Sequence, residues 1–113
     1  MKVIHYEQVS ERKVEDEEAE GAFIRVLIGP DDGARNFFMR RFRIVPGGHT
    51  PYHAHDREHE IFVLGGPAEL MTVKGPRPLN SGHVVFLQSG EEHQFRNNGD
   101  TDIEFLCLVP ASE

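Results

Sequence analysis

The stretch PYHAHDREHEIFVLGG, residues 51–66, places three of the chain's seven histidines within seven positions. His53 and His55 are two residues apart, and His59 follows four residues later. Side chains at i and i+2 face the same way only on an extended chain, because successive side chains of a strand point to opposite faces. On an α-helix they would lie about 200° apart. The spacing therefore predicts a metal site carried by a strand.

The composition narrows the class of protein. A chain of 113 residues is long enough for one hydrophobic core and too short for two. The formal net charge of −7 argues against nucleic acid and anionic membranes as partners. No apolar run approaches the roughly 20 residues that span a bilayer, and the first residues lack the apolar segment of a secretory signal. A single cysteine, Cys107, excludes an internal disulfide and fits a reducing compartment, so we expect a cytoplasmic domain.

Short strands are predicted along most of the chain. Segments rich in Val, Ile and Phe alternate with turn residues at 2–9, 22–28, 37–45, 60–64, 68–73, 83–87, 92–97 and 102–109. The Asn-Gly pair in NNGD (97–100) predicts a hairpin between the last two strands, and KGPRP (74–78) reads as a turn. Residues 10–21 carry acids at 15–18 and 20 and are predicted to be a solvated loop or short helix. The pattern predicts one all-β domain over 1–113, with an N-terminal edge strand and acidic loop in 1–21 and a barrel core in 22–113.

Two separated motifs carry a family resemblance. Residues 47–66 read G-x5-H-x-H-x3-H-E-I-F-V-L-G-G, and residues 82–97 read G-x5-Q-x-G-x2-H-x3-N. In their order and separation they resemble the two sequence motifs of the cupin superfamily. One position departs, since Gln88 stands at a turn position where the family usually has proline. The resemblance implies a double-stranded β-helix, or jelly-roll barrel, with a metal ion inside its mouth.

The third ligand of the first motif is ambiguous. The family spacing after His55 lands on either His59 or Glu60. Strand alternation leaves the choice open. The residues that would share a face with His59 are apolar, and so are those that would share a face with Glu60. The glycine spacing counted back from Gly66 favours His59. So does a resemblance to small single-domain cupins that hold their metal with four histidines and share similar HEIFVL and FRN…EFLCL.P segments. This resemblance implies His53, His55, His59 and His93 as ligands, with Glu60 as the alternative to His59.

A four-histidine site has a chemical consequence. Four neutral imidazoles leave the charge of a divalent ion uncompensated, so the site should attract an anionic ligand. Imidazole suits Zn, Cu, Fe and Ni, whereas the four-histidine cupins imply Mn or Fe with two open cis positions. We therefore expect a divalent metal ion, with manganese first and Fe, Ni, Cu or Zn as alternatives.

Strand periodicity also predicts a substrate pocket beside the metal. Its predicted members are Arg40, Ile61, Phe95, Phe105 and Cys107. Arg40 interrupts the apolar face of 37–45, and a buried arginine needs a partner. That partner is either a carboxylate of the chain or a carboxylate of the substrate. For Cys107, plain packing is favoured over a role near the metal. His5, His49 and His83 are expected outside the site.

The predicted function is a metal-dependent oxidoreductase of dioxygenase type that acts on a small organic anion or enolizable compound. An isomerase or lyase would use the same residues. A non-catalytic binder of a small carboxylate or sugar and a closed structural zinc site are further alternatives, because fold alone does not decide function. The motifs assign no catalytic residue, and Glu60 and His49 are the first to test for proton transfer. The opening strand at 2–9 has no hairpin partner, which predicts a symmetric homodimer.

Overall fold

The computed structural model describes residues 1–111. Its strands are β1 Arg12–Lys13, β2 Glu20–Ile28, β3 Phe37–His49, β4 His59–Gly65, β5 Ala68–Thr72, β6 Gly75–Leu79, β7 Val84–Leu87, β8 His93–Arg96 and β9 Ile103–Pro110. Two single turns of 3-10 helix, Tyr6–Gln8 and Pro30–Asp32, complete the elements. Within the described residues, no helix has the length and apolar character needed to cross a membrane.

The strands form one curled antiparallel sheet. Its order is β6-β5-β8-β3-β9-β4-β7, with β2 paired to β3 and β1 paired to β2. The long strand β3 is the centre of the fold, because it pairs with β2, β8 and β9 along its 13 residues. The prediction of an all-β, jelly-roll architecture is confirmed.

The concave face of the sheet holds the core. Buried side chains alternate with exposed ones along β4 and with half-buried ones along β9, as expected for strands with one face turned inward. His59 is buried on β4, whereas Phe62 and Leu64 are exposed on its other face. The ring of Phe105 stacks on Phe95 with centroids 4.5 Å apart. The inward face of β4, which periodicity leaves open, is therefore the one that begins with His59.

The N-terminal segment differs from the prediction. Residues 2–9 form no strand, because the side chain of His5 and that of Arg25, on β2, bond to their backbone groups. His5 Nδ1 accepts a hydrogen bond from the Glu7 N–H (3.2 Å), and the Arg25 guanidinium donates to the carbonyls of Tyr6 and Val9. The edge strand instead lies at β1, inside the stretch predicted as a loop or short helix. A homodimer built on an unpaired strand at 2–9 therefore loses its structural basis.

The predicted turn at 74–78 is also wrong. Gly75–Leu79 forms β6, which pairs with β5 through a two-residue connection between Thr72 and Gly75. Proline is tolerated there because β6 is the last strand at this end of the sheet, so one side of its backbone needs no partner.

The Asn-Gly sequence at 97–100 does not close a hairpin. The strands on either side of it, β8 and β9, do not pair, because β3 lies between them. The Asn97 side chain holds the connection: its Nδ2 donates to the carbonyls of Ile44 and Thr101 (both 2.8 Å), and its Oδ1 accepts from the Gly99 N–H (3.0 Å). These bonds hold the connection between β8 and β9 where it crosses β3, so the chain does not form the predicted two-residue turn.

Candidate metal site and its pocket

Three histidines meet where the segment after β3 approaches β8. His53 and His93 lie directly opposite each other and exchange two backbone hydrogen bonds of 3.1 and 2.9 Å. Their ring centroids are 5.5 Å apart, and the His55 ring lies 4.2 Å from that of His53. One nitrogen from each of His53, His55 and His93 lies within 4.8 Å of the other two. Two nitrogens on opposite sides of one ion would be about 4 Å apart, so the cluster has the size of a metal site.

The turn of the second motif holds the loop that carries His55. The Gly90 N–H donates to the His55 carbonyl (2.6 Å), and Ser89 Oγ donates to the Asp56 carbonyl (2.6 Å). Gly90 has φ +80°, a left-handed conformation that favours glycine. At the non-proline position, the Gln88 N–H donates to Glu91 Oε1 (3.0 Å), a bond that proline could not make. The departure from the family pattern thus preserves the turn.

His59 lies beside this cluster, on β4. Its side chain is buried, with 7% exposed, and its ring stacks on that of His55 at 4.4 Å. Its centroid is 6.2 Å from that of His93, and it does not belong to the group of three close nitrogens. Its Nδ1 lies 3.5 Å from Cys107 Sγ, so the other ring nitrogen, Nε2, takes no part in that contact. Glu60 is exposed on the opposite face. The four-histidine ligand set stays a prediction.

The surroundings lower the pKa values of His53, His55 and His59 and so favour their neutral imidazoles. Burial, reinforced by the neighbouring His53 and His93, lowers the pKa of His55 from 6.5 to about 4. Burial and then His55 and Arg40 lower the pKa of His59 to about 3. Burial also lowers the pKa of His53. Neutral imidazole is the form that binds metal ions, so the donor set fits a divalent transition metal at pH 7.

The histidines line a cavity of about 450 Å³. All five predicted pocket residues also line it: Arg40, Ile61, Phe95, Phe105 and Cys107. Sequence reasoning missed a further part of the wall, namely residues 12–16 with Ile24 and Phe42. Phe42 shares the inward face of β3 with Arg40, so strand alternation could have identified it. Residues 12–16 gave no such signal, since their place depends on the pairing of β1 with β2.

Arg40 has an incomplete set of partners. Its Nη2 donates to Cys107 Sγ (3.0 Å), and its guanidinium lies 5.2 Å from the centroid of Phe42. Its Nε is buried without a hydrogen-bond partner. Within residues 1–111, no carboxylate lies in ion-pair distance of Arg40, so Arg40 forms no ion pair among these residues. Cys107 is buried, which raises the pKa of its thiol against the opposing effect of Arg40.

The remaining histidines have local roles away from the cluster. His5 caps the first 3-10 turn, and His83 Nδ1 accepts from the Asn80 N–H (2.7 Å). His49, at the end of β3, lies within 3.3 Å of the Gln94 side-chain amide. Neither His49 nor Glu60 lines the cavity, so neither is placed to transfer a proton there.

The fold and the histidine cluster agree with sequence comparison. Residues 40–109 match the cupin domain family, and the chain belongs to this family. An oxalate-binding protein of Thermotoga maritima is 36% identical over 70 residues, which are 61% of this chain and 58% of that protein. A 1-methylthio-D-xylulose 5-phosphate methylsulfurylase of Rhodospirillum rubrum is 30% identical over 73 residues, 65% of this chain and 47% of that protein. The chain thus spans about half the length of these relatives.

Several solved structures match almost the whole chain. The polyketide cyclase RemF from Streptomyces resistomycificus superimposes with a TM-score of 0.95 and 32% sequence identity. The match covers 99% of this chain and 80% of RemF. The likeness therefore includes the N-terminal segment, which lies outside the family match.

Proposed function

We propose that this cupin is a metal-dependent enzyme that acts on a small, enolizable organic anion. The observation that carries the proposal is the position of Arg40, which has no carboxylate partner in the described residues and lines the same cavity as the three clustered histidines. A cavity with a metal site and a free guanidinium offers two positive centres to one anion.

The proposed ligands are His53, His55, His59 and His93. Three of them already lie close together, and His59 would have to bring its free ring nitrogen into the group. Manganese is the metal we favour, from the resemblance to four-histidine cupins, with Fe, Ni, Cu and Zn as alternatives. Such an ion supplies Lewis-acid polarisation of a substrate oxygen.

The chain's own residues would bind and orient the substrate. Arg40 would hold a carboxylate, since its Nε has no partner in the described structure. Phe95 and Phe105, stacked and buried, would exclude water from one side of the substrate. Glu15 and Asp16 are the carboxylates among the lining residues, so we propose them as the groups that accept a substrate proton.

The likeness to RemF favours proton-transfer chemistry over oxidation, because that protein is a cyclase and matches across the full chain. An isomerase, lyase or cyclase reaction is accordingly our first choice. The oxidoreductase expected from the sequence would use the same cavity. Its need for dioxygen distinguishes it from an isomerase, lyase or cyclase.

Phenylpyruvate is a suitable test compound, because it combines a carboxylate, an aromatic ring and an enolizable CH2 group. With manganese-loaded protein in D2O, we expect faster exchange of its C3 hydrogens by NMR than with the protein-free metal. The His55→Ala variant should lose the acceleration, while Glu60→Gln, changed on the outer face, should keep it. Dioxygen uptake measured in parallel would favour the oxidoreductase instead. Binding with neither exchange nor uptake would contradict catalysis on this class of compound.

A binding protein without turnover is the second candidate. The similarity to the oxalate-binding protein of Thermotoga maritima favours it specifically. Calorimetric titration of the metal-loaded protein with oxalate tests this candidate, since tight binding without any chemical change of oxalate would support it.

We also propose that the chain forms a homodimer through the outer face of β9, β4 and β7. Apolar side chains are exposed there, including Phe62 (47%), Val84 (73%) and Phe86 (53%). Phe62 and Val84 are paired neighbours on β4 and β7, which makes the patch continuous. A patch of this kind on a monomer marks an interaction site. Analytical ultracentrifugation should show a dimer that the Phe86→Glu variant dissociates, and a monomeric native protein would contradict the proposal.

A further inference from the structure

Arginines on the two faces of the sheet are paired differently. On the outer face of β2 and β3, each arginine has a carboxylate within 4.0 Å: Arg25 and Arg43 share Glu11, and Arg41 pairs with Glu104. Two arginines face the cavity, Arg12 and Arg40, and neither has a carboxylate within that distance in residues 1–111. The chain has 19 acidic residues against 12 basic ones, so a lack of available carboxylates does not explain the difference.

The strand register places Arg12 on the cavity side. Residues directly opposite each other on antiparallel strands share a face. Arg12 is opposite Ile24, Ile24 is opposite Phe42, and Phe42 is opposite Phe105. The last three all line the cavity, so Arg12 stands at the outer end of an inward-facing row. The next residue, Lys13, is opposite Phe23, which does not line the cavity.

The two arginines lie at different depths of the cavity. Arg40 is half-buried and reaches Cys107, whereas Arg12 is exposed on the short edge strand. Between them the wall is apolar, formed by Ile24, Phe42 and Phe105. The cavity volume of about 450 Å³ is within the range of pockets that bind small organic molecules, about 300–1,000 Å³.

We propose that Arg12 is a specificity-determining residue that selects substrates with a second acidic group. The substrate class is then a flat, apolar organic molecule with one acid that reaches Arg40 and another that reaches Arg12. Glu15 and Asp16 also line the rim, and their charges oppose an anion beside them, which leaves Arg12 as the place for the second group. This inference rests on the proposed function, because it requires the anion site at Arg40.

Two matched probes test the proposal by isothermal titration calorimetry of the metal-loaded protein: 2-naphthoate, with one carboxylate, and naphthalene-2,6-dicarboxylate, with two. We expect the diacid to bind roughly fivefold more tightly, equivalent to about 1 kcal/mol, as for an exposed ion pair. The Arg12→Gln variant should bind the two probes with equal affinity. The control variant Arg35→Gln, which removes the same charge at an exposed position that does not line the cavity, should keep the preference.

The outcomes separate this inference from the proposed function. If 2-naphthoate binds and depends on Arg40, but the diacid has no advantage or keeps it in Arg12→Gln, the role of Arg12 is refuted and the anion site stands. If neither probe binds the native protein, the anion site itself fails and the inference fails with it. A preference for the diacid that is lost only in Arg12→Gln supports the inference.

Discussion

Replacing Arg40 with methionine should weaken anion binding without weakening the fold. The guanidinium has no carboxylate partner in the described residues, and its buried Nε makes no hydrogen bond. An unsatisfied buried polar group costs about 1–3 kcal/mol, whereas the cation–π contact with Phe42 contributes about 0.5–1 kcal/mol. Methionine keeps an apolar stem against Phe42. Methionine also loses the weak hydrogen bond to Cys107 Sγ, worth about 0.5 kcal/mol. The net change is still a gain of about 1 kcal/mol, or about 4 °C in the thermal midpoint of a domain of this size.

The same substitution removes the proposed partner of the substrate's carboxylate. Hydrogen bonds to charged groups contribute about 1.5–3 kcal/mol, so the dissociation constant for 2-naphthoate should rise roughly 10- to 150-fold. Affinity and stability are thus expected to change in opposite directions. A residue with only a structural role would lower the thermal midpoint and leave the affinity unchanged.

Calorimetric titration with 2-naphthoate and a thermal melt of the metal-free protein measure the two effects. Arg41→Met is the matched control, because Arg41 is the next residue of β3, lies on the outer face and pairs with Glu104 at 3.1 Å. We expect this control to keep the native affinity and to melt no higher than the native protein. A thermal midpoint several degrees lower for Arg40→Met, together with native affinity, would refute our interpretation of Arg40.

Three further predictions concern the histidines. Elemental analysis should show loss of metal from His59→Ala and full retention in Glu60→Ala; the reverse result would restore the ligand set with one glutamate. Cys107→Val removes the contact with His59 Nδ1. Because residues that orient a metal ligand typically contribute tenfold or more to affinity, this variant should bind metal about tenfold more weakly in a chelator competition. Unchanged affinity would argue against His59 as a ligand. The third concerns acid. Because the pKa values of His55 and His59 are lowered to about 4 and about 3 in the folded state, the unfolded chain takes up protons first below pH 6.5. The thermal midpoint of the metal-free protein should therefore fall steadily as the pH is lowered from 6.5 to 4 in scanning calorimetry, and a midpoint that stays constant over this range would contradict the lowered pKa values.

The sequence predicts those parts of the molecule in which local spacing determines position. The i, i+2 spacing predicts that His53 and His55 point the same way, and their rings lie 4.2 Å apart. Both residues nevertheless lie in the connection between β3 and β4, where only His53 forms a bridge, to His93. Alternation along β9 predicts that Phe105 and Cys107 face inward, and both are buried. The inward face of β4 could not be predicted in this way, because Ile61 and Phe62 are both apolar and only the pairing with neighbouring strands decides between them.

Features that depend on contacts between residues far apart in sequence could not be predicted from local patterns. The place of Arg12 depends on the pairing of β1 with β2. The paired residues closest in sequence, Lys13 and Phe23, are separated by nine residues. The Asn-Gly signal at 98–99 describes a local turn preference, but the insertion of β3 between β8 and β9 overrides it. Residues 2–9 have strand composition, yet the Arg25 side chain takes up their carbonyls. In each case a contact from elsewhere in the chain competes with local propensity and wins.

The distribution of charge links the fold to the proposed chemistry. A pair such as Arg41 with Glu104 on the outer face neutralises its own charges, so it has little left to offer a ligand. On the inner face, Arg40 lies in the same cavity as His55 and His59, whose lowered pKa values keep them neutral. These imidazoles therefore do not balance the charge of the guanidinium. Holding such a charge half-buried costs stability, and an anionic ligand would offset that cost when it binds. The native protein should therefore gain more thermal stability from 2-naphthoate than the Arg40→Met variant does, even though the variant is the more stable of the two without ligand.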